Sequence, residues 1–123
     1  HAGELLGPEG VYDALRLQPN GIGHGVHAVE DEALMKKLAE MGITLEVCQT
    51  SNAWILHEFI EGKQEAPLKT LMDRGVKVAL GTDDPVQFNT CIEDEYERAK
   101  AIGVDVELLK KNSEARMRQY LDF

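Results

Sequence analysis

Val76-Lys77-Val78-Ala79-Leu80, followed at once by Gly81-Thr82-Asp83-Asp84-Pro85, decides how the rest of the chain is read. The first five residues are apolar and largely β-branched around one lysine, the pattern of a strand. The next five end it with two adjacent carboxylates and a proline. Neighbouring side chains on a strand point to opposite faces, but where the strand runs out the chain bends and both can turn to one place. A metal ion beside a polar substrate would account for two negative charges there. A solvated turn accounts for the same residues, because Asp and Pro are ordinary turn formers. The rest of the chain weighs between the two.

Working outward, the strand is preceded by a helix over Pro67 to Arg74, with Leu68, Leu71 and Met72 as its apolar face and Gly75 as its stop. Residues 62–65 are a polar loop, and Ala53 to Ile60 read as a short helix. Ile43 to Cys48 is a second apolar run, interrupted by Glu46, and the polar segment Gln49-Thr50-Ser51-Asn52 follows it. Before that, Glu30 to Met41 carries Leu34, Leu38 and Met41 on one stripe, with acidic residues in its first turn and Gly42 as its C-cap.

Ile22-Gly23-His24-Gly25 ends a further strand, where two glycines let the backbone approach something closely. Gln18-Pro19-Asn20-Gly21 is a turn, and Glu9 to Leu17 is helical with Pro8 suited to its first turn. Downstream, Ile92 to Ile102 is a charged helix, and Asp105 caps a last helix running through Leu108 and Leu109 toward Met117 and Leu121.

Short apolar strands alternating with amphipathic helices predict an α/β fold with parallel strands. Each polar constellation falls just after a strand, the face of a (β/α)8 barrel that carries chemistry. About four βα units and a terminal helix over 1–123 make half of such a TIM-type barrel, whose usual length is ~250 residues.

The chain is 123 residues long with 43% hydrophobic content, enough for a core. No apolar run approaches ~18 residues, so no transmembrane helix is expected. A net charge of -9 argues against a nucleic-acid or anionic membrane partner. Cys48 and Cys91 lack CxxC spacing and read as reduced thiols of a cytoplasmic protein.

The strand ends together supply His1, Glu4, His24, Asp83 and Asp84, a set that can coordinate a divalent cation and carry acid–base chemistry. Singly, each has a plainer reading: His1 as a terminus, Glu4 as a cap, His24 as a loop residue bonded to backbone. Their recurrence at successive strand ends favours the functional reading.

His-Ala-Gly-Glu at 1–4, Ile-Gly-His-Gly at 22–25, Leu-Glu-Val-Cys-Gln-Thr-Ser-Asn at 45–52 and Thr-Asp-Asp-Pro at 82–85 resemble the adenosine deaminase family, in that family's order. The resemblance spans nearly the whole chain and matches the C-terminal half of the family's barrel. It implies a zinc-dependent hydrolytic deamination of a purine at C6, with ammonia released. His1 and Asp83 would be zinc ligands, and Glu4 would donate a proton to ring nitrogen N1. His24 would orient the attacking water and help deprotonate it, and Asp84 would hydrogen-bond the purine at N7.

The chain departs from the family in three places. The family's His-x-His pair, which supplies two more zinc ligands, does not occur, because the other histidines are His27 and His57. His27 is expected at a helix entry and His57 at the surface. Cys48-Gln49 stands where the family more often has Cys-Pro, and Ala66-Pro67 where it often has His-Pro. The Cys48 thiol is expected to be a buried apolar group. Trp54 is expected to pack, with a role gating the pocket as the alternative.

The isolated chain is expected to be inactive without the remaining half. One alternative is a non-catalytic half barrel that self-associates through exposed strand edges. Another is a different amidohydrolase-type metal hydrolase, such as a ring-opening amidase.

Overall fold

The computed structural model describes residues 1–121. Three short parallel strands, β1 (Gly21–Gly23), β2 (Thr44–Val47) and β3 (Lys77–Leu80), form one sheet in that order. Helices α1 (Pro8–Leu15), α2 (Glu32–Met41), α3 (Gln49–Ile55), α4 (His57–Glu61), α5 (Pro67–Asp73), α6 (Pro85–Phe88), α7 (Ile92–Ala101) and α8 (Val106–Leu121) surround it. The expected strand end at His-Ala-Gly-Glu is reduced to a single parallel bridge between Ala2 and His24.

Register follows from residue type. Ile22, Leu45 and Val78 lie side by side across the sheet and are 4%, 0% and 0% exposed. They meet Leu34 and Leu38 of α2 and Leu68 and Leu71 of α5 in one core. The adjacent row, Gly23, Glu46 and Ala79, points the other way, as a period of two requires. That second face is covered by α8, which packs along β3. Its Arg116 donates from Nε to Glu46 Oε1 at 2.6 Å, its Tyr120 hydroxyl donates to the same oxygen at 2.7 Å, and its Ser113 hydroxyl accepts from Leu80 N–H at 3.1 Å.

Several elements differ locally from the sequence reading. The α2 helix begins one residue after Asp31, whose carboxylate accepts from Leu34 N–H at 3.0 Å as the N-cap. Met41 is 45% exposed while Met35 is buried, because the chain turns away at Gly42 and the apolar stripe closes one turn earlier. The polar segment 49–52 is the first turn of α3, and the expected helix 53–60 is two pieces broken at Leu56. A 3₁₀ turn over Val26–Glu30 places His27 against Glu30 at 2.8 Å.

Candidate active site

A glycine shapes the first strand end. Gly3 has φ +59, and a Cβ there would run into Val11 of α1. The left-handed turn folds Glu4 back toward His1, with Glu4 Oε2 3.7 Å from His1 Nδ1. The second strand end repeats the device, since Gly25 has φ +70 and a Cβ there would meet Leu45 Cδ2 at 2.8 Å.

Two of the candidate residues are themselves left-handed without being glycine. His24 has φ 65 and Asp83 has φ 57. Such backbone is strained for an L side chain and persists where surrounding contacts over-determine it, commonly at functional sites. Asp and His adopt this region more readily than most residues, but which positions do so is set by tertiary contacts, so it was not legible in the sequence.

These turns bring four of the five candidates together. His24 Nε2 lies 3.5 Å from Glu4 Oε2 and 3.9 Å from Asp83 Oδ2. The His1 and His24 rings stand 4.9 Å apart between centroids. His1, His24 and Asp83 line one cavity of about 490 Å³, with Glu46, Cys48, Tyr96, Arg116 and Tyr120 around them. Asp84 is not among them: it is exposed, precedes α6 without capping it, and lies outside the cavity lining.

The polar segment after β2 holds two of these groups. Ser51 Oγ donates to Asp83 Oδ2 at 2.6 Å. Asn52 Oδ1 lies 3.2 Å from His24 Nδ1. An amide oxygen only accepts, so this contact calls for a proton on His24 Nδ1, while Nε2 is the ring nitrogen that faces Glu4 and Asp83. His24, Ser51 and Asn52 are 2%, 0% and 2% exposed. Ser51 and Asn52 were quoted in the sequence as part of a motif but given no role, because their partners lie 32 and 28 residues away.

Glu46, the interruption noted in the second apolar run, lines the same cavity with Arg116 and Tyr120 bonded to it. The Glu46 hydrogen bond, followed by burial, pushes the Tyr120 hydroxyl above its ordinary pKa. Burial, reinforced by the charge of Asp83, pushes the Cys48 thiol up to about 12. Cys48 is therefore a neutral apolar group, as expected. Trp54 is 71% exposed, which overturns the packing role expected for it, and it does not line the cavity. His57 is exposed, as read.

The donor set suits a divalent cation. His1, Glu4 and His24 each offer a ligand atom, all within 4.8 Å of one another. Nitrogen and carboxylate oxygen donors together are the set that zinc takes. The compact trio is His1, Glu4 and His24, whereas the resemblance assigns His1 and Asp83. The shared cavity and the 3.9 Å approach of Asp83 to His24 keep both sets within one site.

The sequence model of the adenosine deaminase family matches residues 1–119. An adenine deaminase from Agrobacterium fabrum is 50% identical over 97 residues, covering 78% of this chain and 29% of that protein. An adenine deaminase from Sinorhizobium medicae is 46% identical over 105 residues, covering 84% and 32%. Among solved structures, an adenine deaminase from Arthrobacter aurescens superposes with a TM-score of 0.74 at 27% identity, over 83% of this chain and 31% of that one. A zinc-bound amidohydrolase from Burkhoderia ambifaria superposes with a TM-score of 0.76 at 25% identity, over 92% and 32%. The chain spans about 30% of the length of the relatives it matches and about a third of the chains it superposes on.

Proposed function

Because this chain belongs to the adenosine deaminase family, we propose that it carries part of the active site of a hydrolase that deaminates a purine of the adenine type at C6. The observation that supports this best is the convergence of His1, Glu4, His24 and Asp83 on one site, two of them on strained left-handed backbone. His1 and Asp83 would hold zinc. When bound, zinc supplies a Lewis acid and lowers the pKa of its water to about 7.

The chain's own groups divide the proton transfers. His24 presents Nε2 as the base, since Nδ1–H is engaged by Asn52, and takes the proton of the attacking water. Glu4 delivers a proton to N1, which draws electron density from C6. A donor carboxyl must carry its proton when the purine binds. With the hydroxyl added at C6, His24 passes its proton to the amine, the C6–N bond breaks, ammonia leaves, and the C6 hydroxyl proton returns to the Glu4 carboxylate as the carbonyl forms. Asp84 would bind the purine at N7 from the rim; a carboxylate accepts, so the contact suits a free base with N7–H. Ser51 keeps Asp83 oriented through the whole sequence.

We propose further that the 123-residue chain by itself has little turnover, because the sequence lacks the family's His-x-His pair. The test is ammonia release from adenine and adenosine, with a cyclic amide as the competing class. The chain would be assayed alone and after addition of the N-terminal portion of the Agrobacterium fabrum relative, with zinc. Turnover of the purine only in the completed sample, lost in Glu4→Gln, is the expected result. Robust turnover by the chain alone would overturn the inactivity. Preferred opening of the cyclic amide would overturn the substrate class.

A further inference from the structure

We propose that Glu95 is a positioning residue that holds His24 and Asp83 in place through the first turn of α3. The inference rests on the functional reading above only in taking His24 and Asp83 as site residues. Glu95 lies on α7, whose neighbouring Glu93, Asp94 and Glu97 are exposed, yet it is 0% exposed itself. Its partners are hydroxyls and a backbone amide rather than a cation. Oε1 accepts from the Thr50 and Thr90 hydroxyls, the latter at 2.9 Å, and Oε2 accepts from Thr50 N–H at 3.3 Å. Burying a carboxyl is unfavourable even when it is hydrogen-bonded. A leucine would fill the same volume without that desolvation, so the carboxyl's value lies in what it holds.

What it holds is the start of α3. That helix has seven residues, too few to be stable alone, and its N-cap, Cys48, makes no side-chain capping bond. The cap comes from α7 instead, through the Glu95 carboxyl on Thr50 and through Gln49 Nε2 donating to the Glu95 carbonyl at 2.9 Å. The next two residues carry the site contacts, Ser51 to Asp83 and Asn52 to His24. Successive helical residues are about 100° apart, so Thr50, Ser51 and Asn52 reach in three directions. Fixing the first fixes the rotation of the other two. Freed of Glu95, the turn can rotate or fray, and both site contacts loosen together. At His24 the consequence is specific: without the Asn52 acceptor, the Nδ1–H and Nε2–H forms both become populated.

The experiment reads the His24 ring in the full chain, labelled with ¹⁵N, by long-range ¹H–¹⁵N correlation, which separates the two tautomers. Circular dichroism of the same samples reports folding. The unsubstituted chain is expected to show the Nδ1–H form alone. Glu95→Ala is expected to keep its helical signal but gain the Nε2–H form. Glu95→Gln retains an oxygen that accepts from Thr50 and should restore most of the original pattern. His57, exposed on α4, is the internal control and should not change. Mixed tautomers in the unsubstituted chain, or an unchanged His24 in folded Glu95→Ala, would overturn the proposal. If Glu95→Ala does not fold, Thr50→Val is read by the same criterion. Tautomer mixing in a protein that never deaminates a purine, even when completed, would sink the functional reading and leave the positioning role standing.

Discussion

The two faces of the sheet are held by different physics. On one, Ile22, Leu45 and Val78 sit in a dry core with Leu34, Leu38, Leu68 and Leu71. On the other, Glu46 meets Arg116 and Tyr120 of a single covering helix, beside a cavity lined by His1, His24 and Asp83. The first face is cohesive without direction, because burial of apolar area does not depend on angle. The second is directed: each contact needs its partner in one orientation, and the cavity beside it gives little apolar burial. The difference teaches that stability is concentrated on the side packed by α2 and α5, which leaves the side under α8 free to carry polar groups.

Substitutions can break that comparison, and the largest effect belongs to the dry face. Leu45→Ala removes a side chain that is 0% exposed and packs against Gly25, and is expected to lower stability by about 2–5 kcal/mol. Urea unfolding measures it, and a loss no greater than that of a surface substitution would remove the distinction between the faces. On the other face, Arg116→Ala breaks the 2.6 Å ion pair with Glu46. The pair is partly solvated, so the expected loss is about 1 kcal/mol and smaller at high salt. A loss as large as that of Leu45→Ala would make α8 a core element instead.

Cys48, at the boundary between core and cavity, gives a pH test. Its ordinary thiol pKa of 9.0 is raised to about 12 in the fold. Above pH 9.0 the unfolded chain releases this proton while the folded chain keeps it. Fewer protons on the unfolded state means that stability falls as pH rises between those two values, and Cys48→Ala should flatten that part of the curve. At neutral pH, iodoacetamide should label exposed Cys91 well before buried Cys48. Equal labelling would place Cys48 in solvent.

The smallest effect is expected at Trp54, which belongs to neither face. With 71% of its surface exposed, Trp54→Ala should shift stability by no more than about 0.5 kcal/mol. Its fluorescence in the unsubstituted chain should be quenched readily by iodide, and a protected indole would contradict its placement.

How much of this was legible depends on the range of the interaction. The α5 helix, its Pro67 start and its Gly75 stop lie within ten residues of one another, and proline and glycine carry their backbone preferences with them. Asp31 was read one position too far into α2, because several acidic residues compete for one cap and only geometry picks the winner. Trp54 was read as packing because a large apolar side chain usually is, and nothing local shows that its indole stays 71% exposed. Glu46 was seen as an interruption, but its partners Arg116 and Tyr120 are 70 and 74 residues away.

The order of strands and helices, and the five polar residues at strand ends, could be read from the sequence because periodicity and turn chemistry are local properties of the chain. Tertiary structure alone decided which of those residues meet. It put His24 and Asp83 on left-handed backbone, hung Ser51 and Asn52 between them, and left Asp84 outside the cavity. The reason is that a parallel sheet joins residues through its register and its covering helices, and those pairings are fixed only when the whole core closes.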